Sequence, residues 1–293
     1  MDGVINVHKP VGMTSSDVVV WLRKHLKTRK VGHTGTLDPE VNGVLPICVG
    51  KATRLAEYLT EQGKAYRAEI TFGIVTDTQD AQGEVLRSVK PEITQEDFLK
   101  IIPQFIGSIQ QIPPMYSAVR YRGKRLYDLA RQGIEVERQP REIRISRLQL
   151  LSWQEGEYPK AIFEVDCSKG TYIRTLCYDL GEALGCGAHM SKLVRLRSGP
   201  FKLEESRTLQ QISDALDQDN EEFLIPMNRV LDLPVIVLTS DRAEAFCHGL
   251  STSQRMISGQ KLPDKGPVQV FAGEEFIGIG KCEDDSLIPY KVF

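Results

Sequence analysis

The sequence predicts a mixed α/β fold, with one large domain followed by a small C-terminal β domain. Short runs in which every second residue is apolar alternate with stretches that carry apolar residues at helical spacing. From Pro234 onward, the chain changes to short β runs around a single predicted helix. At 293 residues the chain is long enough to bury a hydrophobic core without disulfide support.

The first predicted element is an amphipathic helix. Ser15, Ser16 and Asp17 supply capping side chains, and apolar residues follow at helical spacing up to Leu26. The helix exit carries five basic residues with no acid between them: Arg23, Lys24, Lys27, Arg29 and Lys30. These cations either complement the C-terminal end of the helix dipole or bind phosphate, and the two roles are compatible.

A strand and two further helices follow. A short helix is predicted near residues 52–62, and alternation over residues 66–72 predicts a strand that begins with Tyr66 on its apolar face. Thr94, with acidic residues two and three positions later, predicts the start of a capped helix that reaches Phe105.

Residues 113–147 differ from the elements around them. The segment holds a Pro-Pro pair, a predicted hairpin around residues 122–124 and a short helix that ends at Gly133. Positions 120–147 carry nine basic side chains against four acidic ones. Four of the basic residues lie near tyrosines, a combination that suits phosphates and planar bases: Arg120, Arg122, Lys124 and Arg125. The competing interpretation is a solvated excursion.

Two strands, at residues 141–151 and 161–167, precede a helix that begins near Gly170 and ends at Gly185. On this helix, Tyr172 and Arg174 lie off the apolar stripe, at the N-terminal end where anions are favoured. The later elements are a strand in which Arg195 and Arg197 are predicted to form a basic face, an acidic helical stretch over 204–233, β runs at 235–237, 268–271 and 276–280, and a helix over 241–250.

Composition narrows the class of protein. The net charge of −2 hides an asymmetry, since residues 1–202 carry 29 Lys and Arg against 23 Asp and Glu, whereas residues 203–293 carry 8 against 16. A basic body of this kind is compatible with RNA binding. The six cysteines show no C-x-x-C spacing, and no apolar run approaches membrane-spanning length, so we expect a cytoplasmic protein without membrane contact.

The most informative motif is GHTGTLDP at residues 32–39, continued by GVLP at 43–46 and GKATR at 50–54. Glycines permit backbone geometries that other residues avoid, and Pro39 biases Asp38 toward an extended conformation. The motif therefore predicts a carboxylate held in a rigid loop. On spacing alone, Asp38 could equally be a structural turn residue.

Four blocks together resemble the TruB family of tRNA pseudouridine-55 synthases. They are KPVGMTS at residues 9–15, the loop that contains Asp38, the stretch from Tyr66 to Gly83, and SKGTYIR at 168–174, continued by SGPF at 198–201. Ordered blocks over about two hundred residues are far more specific than one short motif. The departure is Val41-Asn42, where the family more often has Ala and then Thr or Ser.

The resemblance implies a pseudouridine synthase fold with a mixed, largely antiparallel sheet. It implies a catalytic domain over residues 1–232, in which residues 113–147 form an RNA-gripping thumb, and a PUA-like RNA-binding domain over residues 233–293. The match of the last segment to PUA domains is weak, and its acidic balance predicts a modest contribution to phosphate binding.

The resemblance also assigns roles to individual residues. Asp38 is the expected catalytic carboxylate and Arg174 its charge partner. Tyr66 is the ring expected to stack on the uracil, and it is also a candidate for the base. Four further residues are expected to bind or border the substrate: His33, which occupies the space of the flipped nucleotide, Tyr172, Lys9 and Leu193. Thr78 and Asp80 are interpreted as structural turn residues.

The implied reaction is isomerisation of uridine to pseudouridine in the TΨC loop of tRNA, after the base has been flipped out. It requires no cofactor and no metal, and we expect no obligate protein partner. Asp38 could attack C1′, attack C6 or assist elimination through a glycal, and the sequence leaves the three routes open.

Three rival functions remain at this point. A guide-dependent synthase of the dyskerin type is disfavoured by the thumb-like segment. A non-catalytic tRNA-binding or folding protein would use the same motifs only to hold RNA. A nucleotide-binding role for the Gly-rich loop lacks the G-K-[ST] ending that phosphate loops require.

Overall fold

The computed structural model describes residues 1–257 and 259–293. Its strands, in chain order, are β1 Gly3–Lys9, β2 Val31–His33, β3 Asn42–Val49, β4 Lys64–Phe72, β5 Ile74–Thr76, β6 Val85–Ser88, β7 Gly107–Gln111, β8 Arg120–Tyr121, β9 Lys124–Arg125, β10 Arg141–Gln154, β11 Lys160–Cys167, β12 Ala188–Ser198, β13 Phe201–Lys202, β14 Leu224–Ile225, β15 Val235–Leu238, β16 Thr252–Ser253, β17 Gly266–Ala272, β18 Glu275–Glu283 and β19 Ser286–Val292.

The α-helices are α1 Ser15–His25, α2 Ala56–Thr60, α3 Gln95–Ile101, α4 Leu126–Ala130, α5 Ile173–Ala183, α6 Leu209–Asp217 and α7 Ser240–Cys247. Short 3₁₀ helices occupy Gly50–Leu55, Ile102–Phe105, Leu203–Glu205, Met227–Arg229 and Gln254–Met256. No helix in the described part of the chain is long and apolar enough to cross a membrane.

One large mixed sheet organises the first three quarters of the chain. Its strand order is β14-β1-β3-β12-β4-β11-β10-β7, with β2 paired to β3 and β13 paired to β12. The pairs are antiparallel except for β12 with β3, so the expected mixed, largely antiparallel sheet is confirmed. The late strand β12 is thus inserted between two early ones, β3 and β4, and this brings distant segments together.

Helices cover the sheet and bury its apolar side chains. The largest core cluster joins side chains from α1, β3, β4, α3 and α5: Leu22, Ile47, Phe72, Phe98 and Leu180, each of which is 0% exposed. Burial of such side chains contributes roughly 1.5–3 kcal/mol each relative to exposure. This packed core gives the loops at the strand ends a rigid support.

The C-terminal segment forms a second sheet with the order β15-β17-β18-β19-β16, and α7 packs against it. Its own core contains Phe246, Val268 and Leu287, all fully buried. The separate C-terminal β unit expected from the sequence is therefore present. It contacts the large sheet's domain through Lys291 Nζ, which donates to Arg54 O at 2.7 Å and pairs with Glu57 at 3.0 Å.

Local capping departs slightly from the prediction. The N-cap of α1 is Thr14, whose Oγ1 accepts from Asp17 N at 3.0 Å while Asp17 Oδ2 accepts from Thr14 N at 2.8 Å. Ser15 is thereby free of capping and serves the neighbouring loop instead. The predicted capped helix at Thr94 is confirmed. The stretch 204–233 contains one α-helix, Leu209–Asp217, and is otherwise turns and short segments.

Candidate active site

The Asp38 loop connects β2 to β3 and is fixed from within. Val41 N donates to Asp38 O at 3.0 Å, and the side chains of Leu37 and Val41 are buried on either side of the aspartate. Ser15 Oγ, at the start of α1, accepts from Leu37 N at 2.8 Å and lies 3.3 Å from Leu37 O. The loop is therefore ordered by core packing, while the Asp38 side chain stays 43% exposed.

Lys9 lies beneath this loop. Its Nζ donates to Pro10 O at 2.7 Å, Met13 O at 2.5 Å and Pro39 O at 3.1 Å, and the residue is fully buried. Burial lowers the pKa of Lys9 from 10.5 to about 8, although the charge of Asp38 acts in the opposite direction. Lys9 therefore has a structural role: its ammonium group links the turn after β1 to the Asp38 loop by hydrogen bonds.

The glycine at position 43 is explained by close backbone packing. Gly43 has φ +110°, and a Cβ there would lie 2.3 Å from Arg195 O on the neighbouring strand β12. Only glycine fits this geometry. The close approach brings β12 alongside the base of the Asp38 loop.

Alternation predicts that Arg195 shares a basic face of its strand with Arg197, but the structure buries Arg195. The residue is 1% exposed, because both faces of the central strand β12 are covered at this point. Its Nε donates to Val44 O at 2.7 Å and its Nη1 to Thr36 O at 3.4 Å. A buried guanidinium therefore supports the two ends of the Asp38 loop by binding their carbonyls.

Arg174 is the cation beside the carboxylate. Its Nε lies 3.2 Å from Asp38 Oδ2, and its Nη1 lies 3.6 Å from Asp80 Oδ2. It also donates to two backbone carbonyls, Thr78 O at 3.3 Å and Tyr116 O at 2.8 Å. The sequence pattern correctly predicts Arg174 at the start of α5. It does not reveal that the side chain is buried, with only 7% of it exposed.

Asp80 belongs to this network, and sequence reasoning gave it only a structural role. Thr78 Oγ1 donates to Asp80 Oδ1 at 2.6 Å, and Gln82 N donates to the same oxygen at 3.0 Å. These bonds form the predicted turn and also present the other oxygen, Oδ2, to Arg174. The TDTQD spacing gave a turn signal, but nothing local indicated that this turn faces α5.

Tyr66 lies on β4 directly opposite Arg195 on β12. Burial raises the pKa of Tyr66, the positive charge of Arg195 partly opposes that rise, and the negative charge of Asp38 adds to it. His33, at the end of β2, has its pKa lowered by burial and by the charge of Arg195. Within residues 1–257 and 259–293, the buried His33 Nδ1 has no hydrogen-bond partner. Arg195 therefore influences both residues electrostatically.

Two expected border residues adjoin this cluster. Tyr172 immediately precedes α5, and its backbone is clamped by Gln111, which accepts from Tyr172 N at 2.8 Å and donates to Tyr172 O at 3.0 Å. Gln111 is buried and was missed, because a lone glutamine at a strand end carries no sequence signal. Leu193 lies half-buried on β12, two residues before Arg195 and opposite Ala68.

The four basic residues predicted to contact RNA, Arg120, Arg122, Lys124 and Arg125, lie on a separate hairpin formed by β8 and β9. Its turn uses Arg122 at φ 47° and Gly123 at φ 87°, and all four cationic side chains are exposed. The Arg122 guanidinium lies 5.3 Å from the centre of the Tyr121 ring, and Arg125 lies 5.7 Å from that of Tyr127. The same segment, 113–147, reaches the site at Tyr116 through the bond from Arg174.

The arrangement provides an exposed carboxylate with a buried charge partner. A neighbouring guanidinium favours the ionised form of a carboxylate, which can then act as a nucleophile or stabilise positive charge at a sugar carbon. In the described part of the chain, no three His, Cys, Asp or Glu side chains are grouped so that they could hold a metal ion.

Family models for one family of proteins match this chain over residues 23–232 and 234–293. Residues 23–173 match the N-terminal domain of TruB family pseudouridylate synthases, residues 174–232 match the tRNA pseudouridylate synthase B C-terminal domain, and residues 234–293 match the C-terminal domain of pseudouridine synthase II TruB.

Named relatives cover most or all of the chain. A protein of Symbiobacterium thermophilum named tRNA pseudouridine synthase B is 51% identical over 256 residues, which cover 87% of this chain and 84% of that protein. A protein of Clostridium kluyveri with the same name is 42% identical over 295 residues, which cover 100% of both chains.

A solved H/ACA RNP bound to a substrate RNA containing 2′-deoxyuridine includes a chain 29% identical to this one, with a TM-score of 0.74 over 99% of this chain and 84% of that one. Sequence, structure and family models therefore agree, and the chain belongs to the TruB family of pseudouridylate synthases.

Proposed function

We propose that this protein converts uridine to pseudouridine in the TΨC loop of tRNA, at position 55, with Asp38 as the catalytic carboxylate. The observation that carries the proposal is the pair formed by Asp38 and Arg174, in which an exposed carboxylate oxygen lies 3.2 Å from a buried guanidinium. A relative aligned over the whole chain is named tRNA pseudouridine synthase B, which supports tRNA as the substrate class.

The reaction rearranges bonds without redox change. The bond from C1′ to N1 breaks, the uracil rotates, and C1′ joins C5; a proton then leaves C5, and N1 carries one in the product. Asp38 supplies the negative charge that these reaction steps need beside the sugar or the base. Attack at C1′, attack at C6 and glycal formation all use a carboxylate in this position.

Arg174 pairs with Asp38 and holds its carboxylate in place. Arg174 is held in turn by Asp80 and by the carbonyls of Thr78 and Tyr116, so its guanidinium is fixed beside Asp38. Such preorganised charge is the usual source of transition-state stabilisation in enzymes. Tyr66 forms a wall of the uracil site in this scheme, and its phenol serves as the base at C5.

The target uridine must leave its stacked position before Asp38 can reach it. In our proposal, His33 fills the space that the flipped nucleotide leaves, and Tyr172 and Leu193 border the base. The exposed β8–β9 hairpin, with its stacked arginines and tyrosines, holds the RNA outside the site. Recognition is then mainly by loop shape and unpaired bases.

In this proposal, each segment of the chain has its own function. Residues 1–232 form the catalytic domain, residues 113–147 within it grip the RNA, and residues 233–293 form a PUA-like RNA-binding domain. The protein acts in the cytoplasm, without a cofactor and without an obligate protein or guide-RNA partner.

The direct test is incubation of the purified chain with an unmodified tRNA transcript, followed by mapping of pseudouridine at nucleotide resolution. We expect a single product in the TΨC loop, and none with the Asp38→Asn variant or with a transcript in which the target uridine is cytidine. A product elsewhere would overturn the specificity.

An inert wild-type chain that still binds tRNA would favour the non-catalytic binder. Activity that appears only after addition of a guide RNA would favour the dyskerin-type alternative.

A further inference from the structure

A second group of cations lies away from the catalytic site, where α1 exits and the GKATR block begins. We call it the basic surface, and it consists of Lys27, Arg29, Lys30, Lys51 and Arg54, all exposed. Two separate chain segments meet here, because Gly50 N donates to Lys30 O at 2.7 Å and Val31 pairs with Val49. Like charges are thus brought together by the hairpin of β2 and β3.

These charges are not explained by local pairing. Within residues 1–257 and 259–293, none of Lys27, Arg29, Lys30 and Lys51 forms a salt bridge. Asp2 is an acid at this surface, and its Oδ1 accepts from Lys51 N at 2.6 Å. By contrast, exposed Arg67 pairs with Glu164 at 2.8 Å.

The helix dipole does not account for the cluster either. The C-cap of α1 is Leu26, so Lys27, Arg29 and Lys30 lie beyond the last turn. The dipole's influence falls off within that turn. Phosphate binding is a role that fits these three exposed cations.

The shape of the surface suits a ribose–phosphate segment. Lys30, Lys51 and Arg54 line an open cavity of about 410 Å³, together with Gly50, Thr53, Val292 and Phe293. The Arg54 guanidinium lies 5.7 Å from the centre of the Phe293 ring and donates to Val292 O. The cavity thus lies between the GKATR block and the last strand, with cations along its wall.

Its position relative to Asp38 identifies the part of the RNA that can reach it. Asp38 lies near the Asn42 end of β3, and the basic surface lies at the Gly50 end of the same strand. At about 3.3 Å per residue, the two ends are separated by roughly 23 Å. For scale, one helical turn of a B-form DNA duplex is about 34 Å, so a distance of this size is within reach of a short helical stem.

We propose that the basic surface binds the phosphate backbone of the helical stem that carries the target loop. The proposal rests on the proposed function, because it takes tRNA as the ligand and the Asp38 site as the position of the loop. Phosphate contacts of this kind fix the register of a nucleic acid and make its binding salt-dependent.

The test measures equilibrium binding of a full-length tRNA transcript and of its isolated stem–loop over a range of salt concentrations. All proteins carry Asp38→Asn, so that the RNA is not converted. The test variant adds Lys30→Gln and Lys51→Gln. The matched control adds Lys90→Gln and Lys100→Gln, two exposed lysines elsewhere, of which Lys100 forms only an exposed pair with Asp97.

We expect a several-fold higher Kd for both RNAs with the test variant, and a slope of log K against log salt that is shallower by about 2, since each lost phosphate contact removes about 1. The control should match its parent. A test variant that binds like the control would overturn the proposal, and so would a loss confined to full-length tRNA, because the contact would then lie outside the stem.

Failure of the proposed function has a different signature. In that case the wild type makes no pseudouridine in tRNA, whereas the salt slopes of the binding assay are still changed by the lysine substitutions.

Discussion

Arg174 holds Asp38 from a buried position, with Nε at 3.2 Å from Asp38 Oδ2, while the carboxylate itself is 43% exposed. The asymmetry matters for function, since the charge partner is shielded from water and fixed by other bonds, and the carboxylate remains open to a substrate. The same guanidinium lies 3.6 Å from Asp80, so one cation serves two carboxylates.

Replacement of Arg174 by leucine should lower kcat by at least about 10²–10³-fold, because a preorganised charge is removed from the reacting carboxylate. It should also lower the free energy of unfolding by about 1–3 kcal/mol, since Tyr116 O and Thr78 O lose their donor. Single-turnover kinetics and urea unfolding measure the two effects.

Arg67→Leu, which removes an exposed pair with Glu164, is the control and should change neither quantity much. Wild-type turnover in Arg174→Leu would eliminate the charge-partner role.

Tyr66→Phe should reduce kcat and leave KM nearly unchanged, because the ring remains and only the phenol oxygen is lost. Tyr66→Leu removes the ring as well, and we expect it to raise KM in addition. Steady-state kinetics with the tRNA transcript separate the two variants. If Tyr66→Phe keeps the wild-type kcat, the phenol is not the base.

Gly43→Ala should destabilise the protein by at least about 1–3 kcal/mol and impair turnover, because its Cβ would meet the backbone of Arg195 at 2.3 Å. Gly32→Ala, on the neighbouring strand of the same hairpin, meets nothing within 4 Å and is the matched control. Thermal unfolding of both variants tests the contact. Equal stability of the two proteins would contradict it.

Lys9 should give the protein a distinctive alkaline stability profile. Its folded-state pKa of about 8 lies below the ordinary value of 10.5, so between these values the folded state binds fewer protons than the unfolded state. Stability therefore rises with pH across this window, by up to roughly 3 kcal/mol from this group.

Lys9→Met cannot gain stability in this way. Urea unfolding from pH 8 to 10 should therefore show the free energy of unfolding of the wild type rising relative to that of Lys9→Met. Parallel curves for the two proteins would mean that Lys9 keeps its ordinary pKa.

Replacement of the four exposed hairpin cations, Arg120, Arg122, Lys124 and Arg125, by glutamine should raise KM for tRNA much more than it lowers kcat. Because these side chains lie outside the core, the melting temperature should stay within the range of ordinary surface substitutions. Kinetics at two salt concentrations measure the effect, which should shrink at high salt. An unchanged KM at low salt would remove the hairpin from the RNA interface.

The Asp38 loop was found from its own glycines and proline, since the information that shapes a tight loop is local. The pairing of Asp38 with Arg174 came only from family resemblance, because 136 positions separate the two residues and no local pattern connects them.

Arg195 shows why the remaining features were missed. Alternation along its strand predicts a basic face, but β12 is a central strand with both neighbours in place, and its arginine turns inward to bind loop carbonyls. The roles of Asp80 and Gln111 depend in the same way on which segments the fold places side by side. Propensity and periodicity carry no information about that order.

The position of β12 in the sheet also has a consequence for synthesis. Asp38 precedes β3 and Tyr66 lies on β4, yet these early strands are joined in the sheet only through β12, which ends at Ser198. A nascent chain that has not yet exposed this strand outside the ribosome cannot bring the carboxylate and the tyrosine into register. The cleft that contains Asp38 and Tyr66 can therefore be assembled only after about two thirds of the chain has been made.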